Sequence, residues 1–344
     1  MDGLPDLTRT AEQLRFISRM RTTSRRTFLR TVAVGAVLAA DLGITGRIAH
    51  ERSTHTVQGV GAPDADALHP ETSWLVLPGF KLSWEESQWV LASLAPSMVK
   101  RGRLAWAGYS NEGLEITALT RAALAYADER GITSMLLYGH SFGGMVAVQL
   151  AVRLRRAGLE VPLIVLDSTP HSRLDVLNSR WFDGLVYSYE LGYAIPSTVR
   201  AAMELGERVA NKNERTWQQI ADQTAAQLSP TAPSSTLIQS ESAYIYNFDV
   251  GVFAHDLGST ALGYLGNAGD DTVDAVNAAA GWADALPRNL VPPLISTAGA
   301  RPTHASPQWN PLLYQRALDR LCWQCLPVPR AIGIAGAPAT PPRP

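Results

Sequence analysis

The chain is short of several things, and each shortage closes off a class of protein. It has two cysteines in 344 residues, Cys322 and Cys325, too few for a disulfide-knit scaffold. No second cysteine pair or histidine cluster accompanies them, so a zinc site lacks ligands. A redox Cys-x-x-Cys opens a helix after a strand, whereas this pair closes a segment of helical period, and a thioredoxin-like role is excluded. Charged residues make up 18% of the chain and the formal net charge is −1. Without a basic stripe, the electrostatic source of nucleic-acid binding is missing, and DNA and RNA partners are set aside. Lysine occurs only as Lys81, Lys100 and Lys212, a bias with no functional weight. What is plentiful is apolar side chain, 46% of residues, which excludes a disordered or collagen-like chain. A length of 344 against about 150 residues per domain implies one large domain or two ordinary ones.

Residues 1–50 have the order of a signal peptide and linker: a basic stretch through Arg30, then an uncharged run from Thr31 to Ala40. The junction Ser24-Arg25-Arg26-Thr27-Phe28-Leu29-Arg30 resembles the twin-arginine export signal. That resemblance implies export of a folded protein through the twin-arginine machinery, with a secreted or cell-envelope location in a bacterium. A spanning helix needs about 20 apolar residues, and this run ends at Asp41. Membrane contact is therefore expected at most through the N-terminal signal. Val37-Leu38-Ala39-Ala40 is the nearest small-residue pattern, and whether and where cleavage occurs stays open. For an exported chain a short-loop disulfide between Cys322 and Cys325 is the structural role considered for that pair.

From Ser73 onward, short apolar runs bounded by glycine or proline alternate with longer segments of helical period, the pattern of a mostly parallel sheet flanked by helices. Strands are expected at Trp74–Leu77, Leu104–Ala107, Met135–Tyr138, Leu163–Leu166, Ala261–Leu265 and Leu294–Ser296. The intervening helices are expected at about Trp84–Met98, Leu114–Ala127, Met145–Leu154, Val273–Leu286 and Pro311–Leu321. Between Asp167 and about Thr260 the rhythm breaks for a stretch too long to be an ordinary connection. The expected organisation is a core first part over 51–167, a helical cap over 168–259, a core second part over 260–326, and a Pro/Ala-rich disordered tail over 327–344.

Gly139-His140-Ser141-Phe142-Gly143-Gly144 stands at the end of the third expected strand and directly before a helix. A sharp strand-to-helix turn strains the central residue, tolerates only small flanks, and lifts the Ser141 hydroxyl above the sheet. The helix N-terminus behind it offers free N–H groups and a positive dipole end to a developing oxyanion. One donor is expected from the backbone N–H of Phe142. The second is assigned to the backbone N–H of Phe80, in the Pro78-Gly79-Phe80 loop that ends the first expected strand.

On these residues the chain resembles the α/β-hydrolase superfamily over about Ser73 to Leu321. The resemblance implies a serine, then an acid after the next-to-last strand, then a histidine after the last. Asp270 and Asp271, in Gly266-Asn267-Ala268-Gly269-Asp270-Asp271-Thr272-Val273, both suit the acid. Asp270 is placed first on its offset from Val273, Asp271 second, and Asp167, at the end of the fourth strand, third. His304 is the histidine that follows the last strand, while His50, His55, His69, His140, His171 and His255 do not. His304 would act as general base and acid, with the aspartate fixing its tautomer.

The cap carries Trp181, Phe182, Tyr187, Tyr189, Tyr193, Trp217, Tyr244, Tyr246 and Phe248. Most of these rings are expected simply to join the cap to the core, and as a set they favour an apolar acyl or alcohol group. The expected activity is cofactor-free and metal-free cleavage of a carboxylic ester, or a related acyl bond, in a small-molecule substrate through an acyl-enzyme. Amide or peptide cleavage, thioester hydrolysis and perhydrolysis use the same triad. A non-catalytic binding protein of the same fold is the alternative from another class.

Overall fold

A computed structural model describes residues 51–177, 216, 220 and 232–326. Residues 1–50 and 327–344, on which the expected signal peptide and tail fall, and much of the insertion lie outside the described residues. Among the described residues no helix is long and apolar enough to cross a membrane.

The chain opens with strand β1 (Thr56–Val60) and a short helix α1 (Pro63–Leu68), then alternates strand and helix. In order come β2 (Thr72–Leu77), α2 (Trp84–Met98), β3 (Arg103–Gly108), α3 (Ile116–Arg130), β4 (Ser134–His140), α4 (Gly143–Arg156) and β5 (Leu163–Asp167). After the insertion, which includes α5 (Ser235–Asn247), the rhythm resumes with β6 (Ala261–Gly266), α6 (Ala275–Ala285), β7 (Ile295–Ser296) and α7 (Pro311–Cys325). The strands form one seven-stranded sheet in the order β1-β3-β2-β4-β5-β6-β7. It is parallel throughout except for β1, which runs antiparallel on the edge against β3.

Side-chain alternation sets the two layers, because successive residues of a strand point to opposite faces. Leu75, Leu77, Met135, Leu137, Ile164 and Leu166 pack with α3, α4 and α6. Their neighbours Trp74, Val76, Leu136, Tyr138, Leu163 and Val165 pack with α2 and α7 on the other side. Covered on both faces, the central strands read as unbroken apolar runs. The helices start where their caps dictate. Ser83 and Glu86 form a reciprocal capping box at the head of α2, and Gly131, at φ 65°, closes α3 in the left-handed conformation.

The topology places the site. From β2 the chain moves outward to β3 and then returns to β4 on the other side of β2, so the loops leaving β2 and β4 diverge. The crevice beyond the carboxyl ends of two such strands is where ligands bind in open α/β sheets. Those loops are Pro78-Gly79-Phe80 and the turn at Ser141.

The described start of the insertion braces the second half of the sheet. A 3-10 turn, Arg173–Asp175, leads to Val176, which bridges antiparallel to Val273. Asp175 is fully buried. Its Oδ2 accepts the backbone N–H groups of His171 (2.7 Å) and Ser172 (3.1 Å) and lies 2.5 Å from His171 Nδ1, while Oδ1 accepts from Asn277 Nδ2 at 2.6 Å. Burial pushes this carboxyl up, but the hydrogen bonds and charge of His171 and the Ser172 N–H outweigh it, so it lies below the usual aspartate range. A carboxyl depressed in the folded state contributes stability above its unfolded pKa, and that contribution is lost as pH falls through the folded value. Asp175→Asn is expected to cost about 2 kcal/mol at neutral pH. Urea unfolding should show the deficit at pH 7 and a smaller one near pH 3.

Candidate active site

Each component of the site is delivered by the end of a strand. β4 ends at His140, and Ser141 follows at φ 51°, the left-handed backbone a nucleophile elbow demands of a non-glycine residue. The strain is held from both sides. Ser141 N–H donates to Asp167 O at 2.8 Å, and Gly144 N–H donates to Ser141 O at 2.9 Å. The flanking glycines are required by contact, since a Cβ on Gly139 would collide with the backbone of Gly144. Phe142 is the N-cap of α4, so its N–H stands at the helix end, ahead of the intrahelical ladder.

His304 and Asp270 converge on this serine from the loops after β7 and β6. Ser141 Oγ lies 2.8 Å from His304 Nε2, and His304 Nδ1 lies 2.8 Å from Asp270 Oδ2. The other carboxylate oxygen, Oδ1, accepts the N–H groups of Thr272 (2.9 Å) and Val273 (3.0 Å), which fixes the carboxylate plane. With Nδ1–H donating to Asp270, Nε2 is left as an acceptor facing the serine hydroxyl. Burial favours neutral His304, but the charge of Asp270 and its hydrogen bond override this and hold the imidazole above its ordinary value. Reciprocally, burial raises Asp270, and the His304 charge and hydrogen bond bring it below the usual aspartate range.

The other two aspartates are placed differently. Asp271 engages its own loop: its N–H reaches Thr303 Oγ1 at 3.3 Å, and its Oδ1 accepts from the Thr272 hydroxyl at 3.2 Å. Asp167 is fully buried at the end of β5, where the Tyr138 hydroxyl donates to its Oδ2 at 2.6 Å. Burial, only partly offset by that hydrogen bond, pushes its carboxyl up to about 7. Of the three, Asp270 is the aspartate hydrogen-bonded to His304.

The loop after β2 lies against the elbow. A Cβ on Gly79 would meet the ring of His140 at 2.7 Å, and one on Gly143 would meet Pro78 O at 2.6 Å. The Pro78-Gly79 backbone is thus packed directly on the residues that flank Ser141. The Tyr109 hydroxyl donates to Pro78 O at 3.3 Å, and the Lys81 N–H donates to Glu241 Oε2 at 3.1 Å.

Several positioning residues carry no sequence signal of their own. His140 Nε2–H donates to Ala305 O at 2.6 Å, next to His304, and burial, reinforced by repulsion from His304, keeps its ring neutral with a pKa lowered to about 4. Asn267 Nδ2 donates to Thr303 O at 3.3 Å, joining the acid turn to the histidine loop. Of the aromatic residues in the insertion, Trp181, Phe182, Tyr187, Tyr189, Tyr193 and Trp217 lie outside the described residues. Tyr244 packs edge-on against Phe142 (centroids 5.6 Å apart) and Phe248 lies 6.1 Å from Trp282, so both join the insertion to the core. Tyr246 is exposed beneath the Arg173 guanidinium.

The expected disulfide is corrected by the structure. Cys322 and Cys325 are free thiols. α7 runs on through Cys325 instead of ending at Leu321, so Cys322 is buried against the sheet as a small apolar side chain. Burial pushes both thiols up, to about 12 and about 11, so neither is disposed to form a thiolate.

No protein-family profile matches the sequence, and no curated protein does. The similarity lies in three dimensions: the chain has the α/β-hydrolase fold. A hydrolase from Pseudomonas aeruginosa PA01 superposes with a TM-score of 0.55 at 14% identity, covering 78% of this chain and 93% of that one. A thermophilic esterase from Thermogutta terrifontis gives 0.53 at 13% identity, covering 78% and 91%. A meta-cleavage product hydrolase from Pseudomonas fluorescens IP01 gives 0.53 at 14%, covering 78% and 93%. At such identities the likeness carries the fold alone, and what the chain does must be argued from its own site.

Proposed function

We propose that the protein is an exported serine hydrolase that cleaves a carboxylic ester, or a related acyl bond, of a small apolar substrate. The observation that carries this reading is the unbroken hydrogen-bonded series Ser141–His304–Asp270 beside an elbow serine at φ 51°. In the proposed reaction the Ser141 Oγ–H proton passes to His304 Nε2 as Oγ bonds to the acyl carbon. The carbonyl oxygen becomes an oxyanion facing the N–H groups of Phe80 and Phe142. Collapse breaks the ester C–O bond, and the leaving alkoxide takes the proton from His304. Water, deprotonated by the same nitrogen, then releases the acid and restores Ser141. Every proton moves through His304, so the residues named suffice for the chemistry.

Export rests on the Ser24–Arg30 motif and the short apolar run behind it. Substituting Arg25→Lys and Arg26→Lys together should keep the protein in the cytoplasm, as fractionation would show. The hydrolase reading is tested with a fluorophosphonate on the folded full chain. The expected result is one equivalent of label on the peptide containing Ser141, together with hydrolysis of p-nitrophenyl esters. A folded chain that neither labels nor hydrolyses would be a binding protein instead.

A further inference from the structure

The reaction proposed above does not use one of the most deeply buried carboxyl groups in the molecule. Glu241, on α5, is fully buried. Its Oε2 accepts the Lys81 N–H across 160 positions of sequence. Its Oε1 has no hydrogen-bond partner among the described residues. Lys81 adjoins Phe80 and has φ 63°, so this loop holds a conformation that a non-glycine backbone does not keep unaided. One helical turn further along the same face, Tyr244 lays its ring edge-on against Phe142 and donates its hydroxyl to Gln149 Oε1 at 2.6 Å. Phe142 is in turn backed by Tyr109, whose hydroxyl holds Pro78 O. α5 is itself tied down at the β3–α3 loop: Ser234 N–H donates to Asn111 Oδ1 at 3.0 Å, and Ser240 Oγ accepts the Leu114 N–H at 2.7 Å.

We infer that Glu241 and Tyr244 are positioning residues through which the inserted helix α5 sets the two backbone segments of the oxyanion hole, Glu241 fixing the Phe80–Lys81 loop and Tyr244 bracing Phe142. The inference rests on the serine-hydrolase reading. It makes α5, and with it the insertion, part of the catalytic apparatus. A buried carboxyl with one idle oxygen costs stability rather than supplying it, so its place beside the oxyanion loop is better explained by geometry than by folding. Burial pushes this carboxyl up to about 8, with the Lys81 N–H and charge pulling the other way. That shift favours the neutral acid near pH 7, and glutamine, which has the same length and keeps an oxygen to accept the Lys81 N–H, is its close mimic.

The test compares full-chain wild type with Glu241→Gln, Glu241→Asp and Glu241→Leu. It measures kcat and KM on a p-nitrophenyl ester, inhibition by an alkylboronic acid, and thermal unfolding. The boronate adduct on Ser141 is tetrahedral and uses the oxyanion hole, whereas KM reports the ground state. Glu241→Leu and Glu241→Asp are expected to lower kcat by about 10- to 100-fold, with boronate affinity falling in proportion and KM within about threefold of wild type. The aspartate keeps the acid but is a methylene too short to reach Lys81, and it serves if the leucine variant fails to fold. Glu241→Gln should restore both quantities. Two results would overturn the inference while leaving the hydrolase reading intact: Asp and Leu variants with unchanged kcat in an active wild-type background, or a Gln variant as impaired as Leu. A wild type inert to both ester and fluorophosphonate would overturn both.

Discussion

Asp270→Asn is expected to lower kcat about 10⁴-fold, while Asp271→Asn stays within about threefold of wild type. The asymmetry follows from what each carboxylate touches. Asp270 Oδ2 accepts from His304 Nδ1 while Oδ1 accepts the Thr272 and Val273 N–H groups, so an asparagine keeps its oxygen on those N–H groups and presents its own N–H to Nδ1, which selects the tautomer with the hydrogen on Nε2. The nitrogen facing Ser141 then loses its capacity to accept a proton. The Asp271 carboxylate accepts from the Thr272 hydroxyl, the residue's backbone N–H reaches Thr303 Oγ1, and its charge reaches His304 from further away than that of Asp270. The pH profile separates a lost base from a lost fold. In the wild type the Asp270 charge holds His304 above its ordinary value, so activity is absent while the imidazole is protonated and rises as pH climbs through that raised pKa. Removing the charge lowers the pKa, and the residual acid limb of Asp270→Asn should move to lower pH. A kcat/KM profile from pH 5 to 9 for the three chains checks both statements. A 10⁴-fold loss in Asp271→Asn instead would reassign the acid.

The elements legible in the sequence are those whose signal is local. The central strands are covered on both faces and therefore appear as continuous apolar runs; β2, β4 and β5 fall where those runs predict. The elbow was legible for a different reason. Its glycines answer steric needs satisfied within a few residues, whereas the positions of the acid and the histidine after the last two strands came from the resemblance to the α/β-hydrolase superfamily. β1 escaped because it is a half-exposed edge strand, Thr56-Val57-Gln58-Gly59-Val60, with no apolar run to mark it. α1 escaped because six residues cannot display a helical period. α7 runs four residues further than its apolar pattern predicts, as the helix continues through Cys322 to Cys325. The preference for Asp270 over Asp271 rested on a single offset, since a one-residue change in the turn exchanges their directions, and the hydrogen bond to His304 falls on Asp270. Glu241 was invisible altogether. A glutamate in a helix is usually a solvated surface residue, and only the return of α5 onto the loop after β2 buries it.

Gly143→Ala is expected to reduce both stability and activity, although it adds a single methyl group to a residue with ordinary helical backbone. The reason is where that methyl would go. It would lie 2.6 Å from Pro78 O and closer still to Leu77 O, both backbone atoms at the end of β2. No rotamer change can clear main-chain oxygens, so either the first turn of α4 lifts away from the sheet or the Pro78–Phe80 loop is pushed outward. Overpacking of this kind costs about 1–3 kcal/mol where side chains can adjust, and the upper end applies where they cannot. The chemical cost expected from the proposed mechanism is larger, because the same displacement separates the two segments proposed to supply the oxyanion donors, Phe80 and Phe142. A shift of about 1 Å at such a site is worth about 100-fold in rate. kcat should therefore fall at least that far with Ser141, His304 and Asp270 all unchanged. Measuring kcat for Gly143→Ala at a temperature well below its unfolding midpoint keeps the two effects apart. Normal turnover in a folded alanine variant would show that the loop after β2 does not supply an oxyanion donor. A folded variant that still takes a fluorophosphonate slowly at Ser141 while turning over ester at least 100-fold less would place the damage in the oxyanion hole and leave the nucleophile in place.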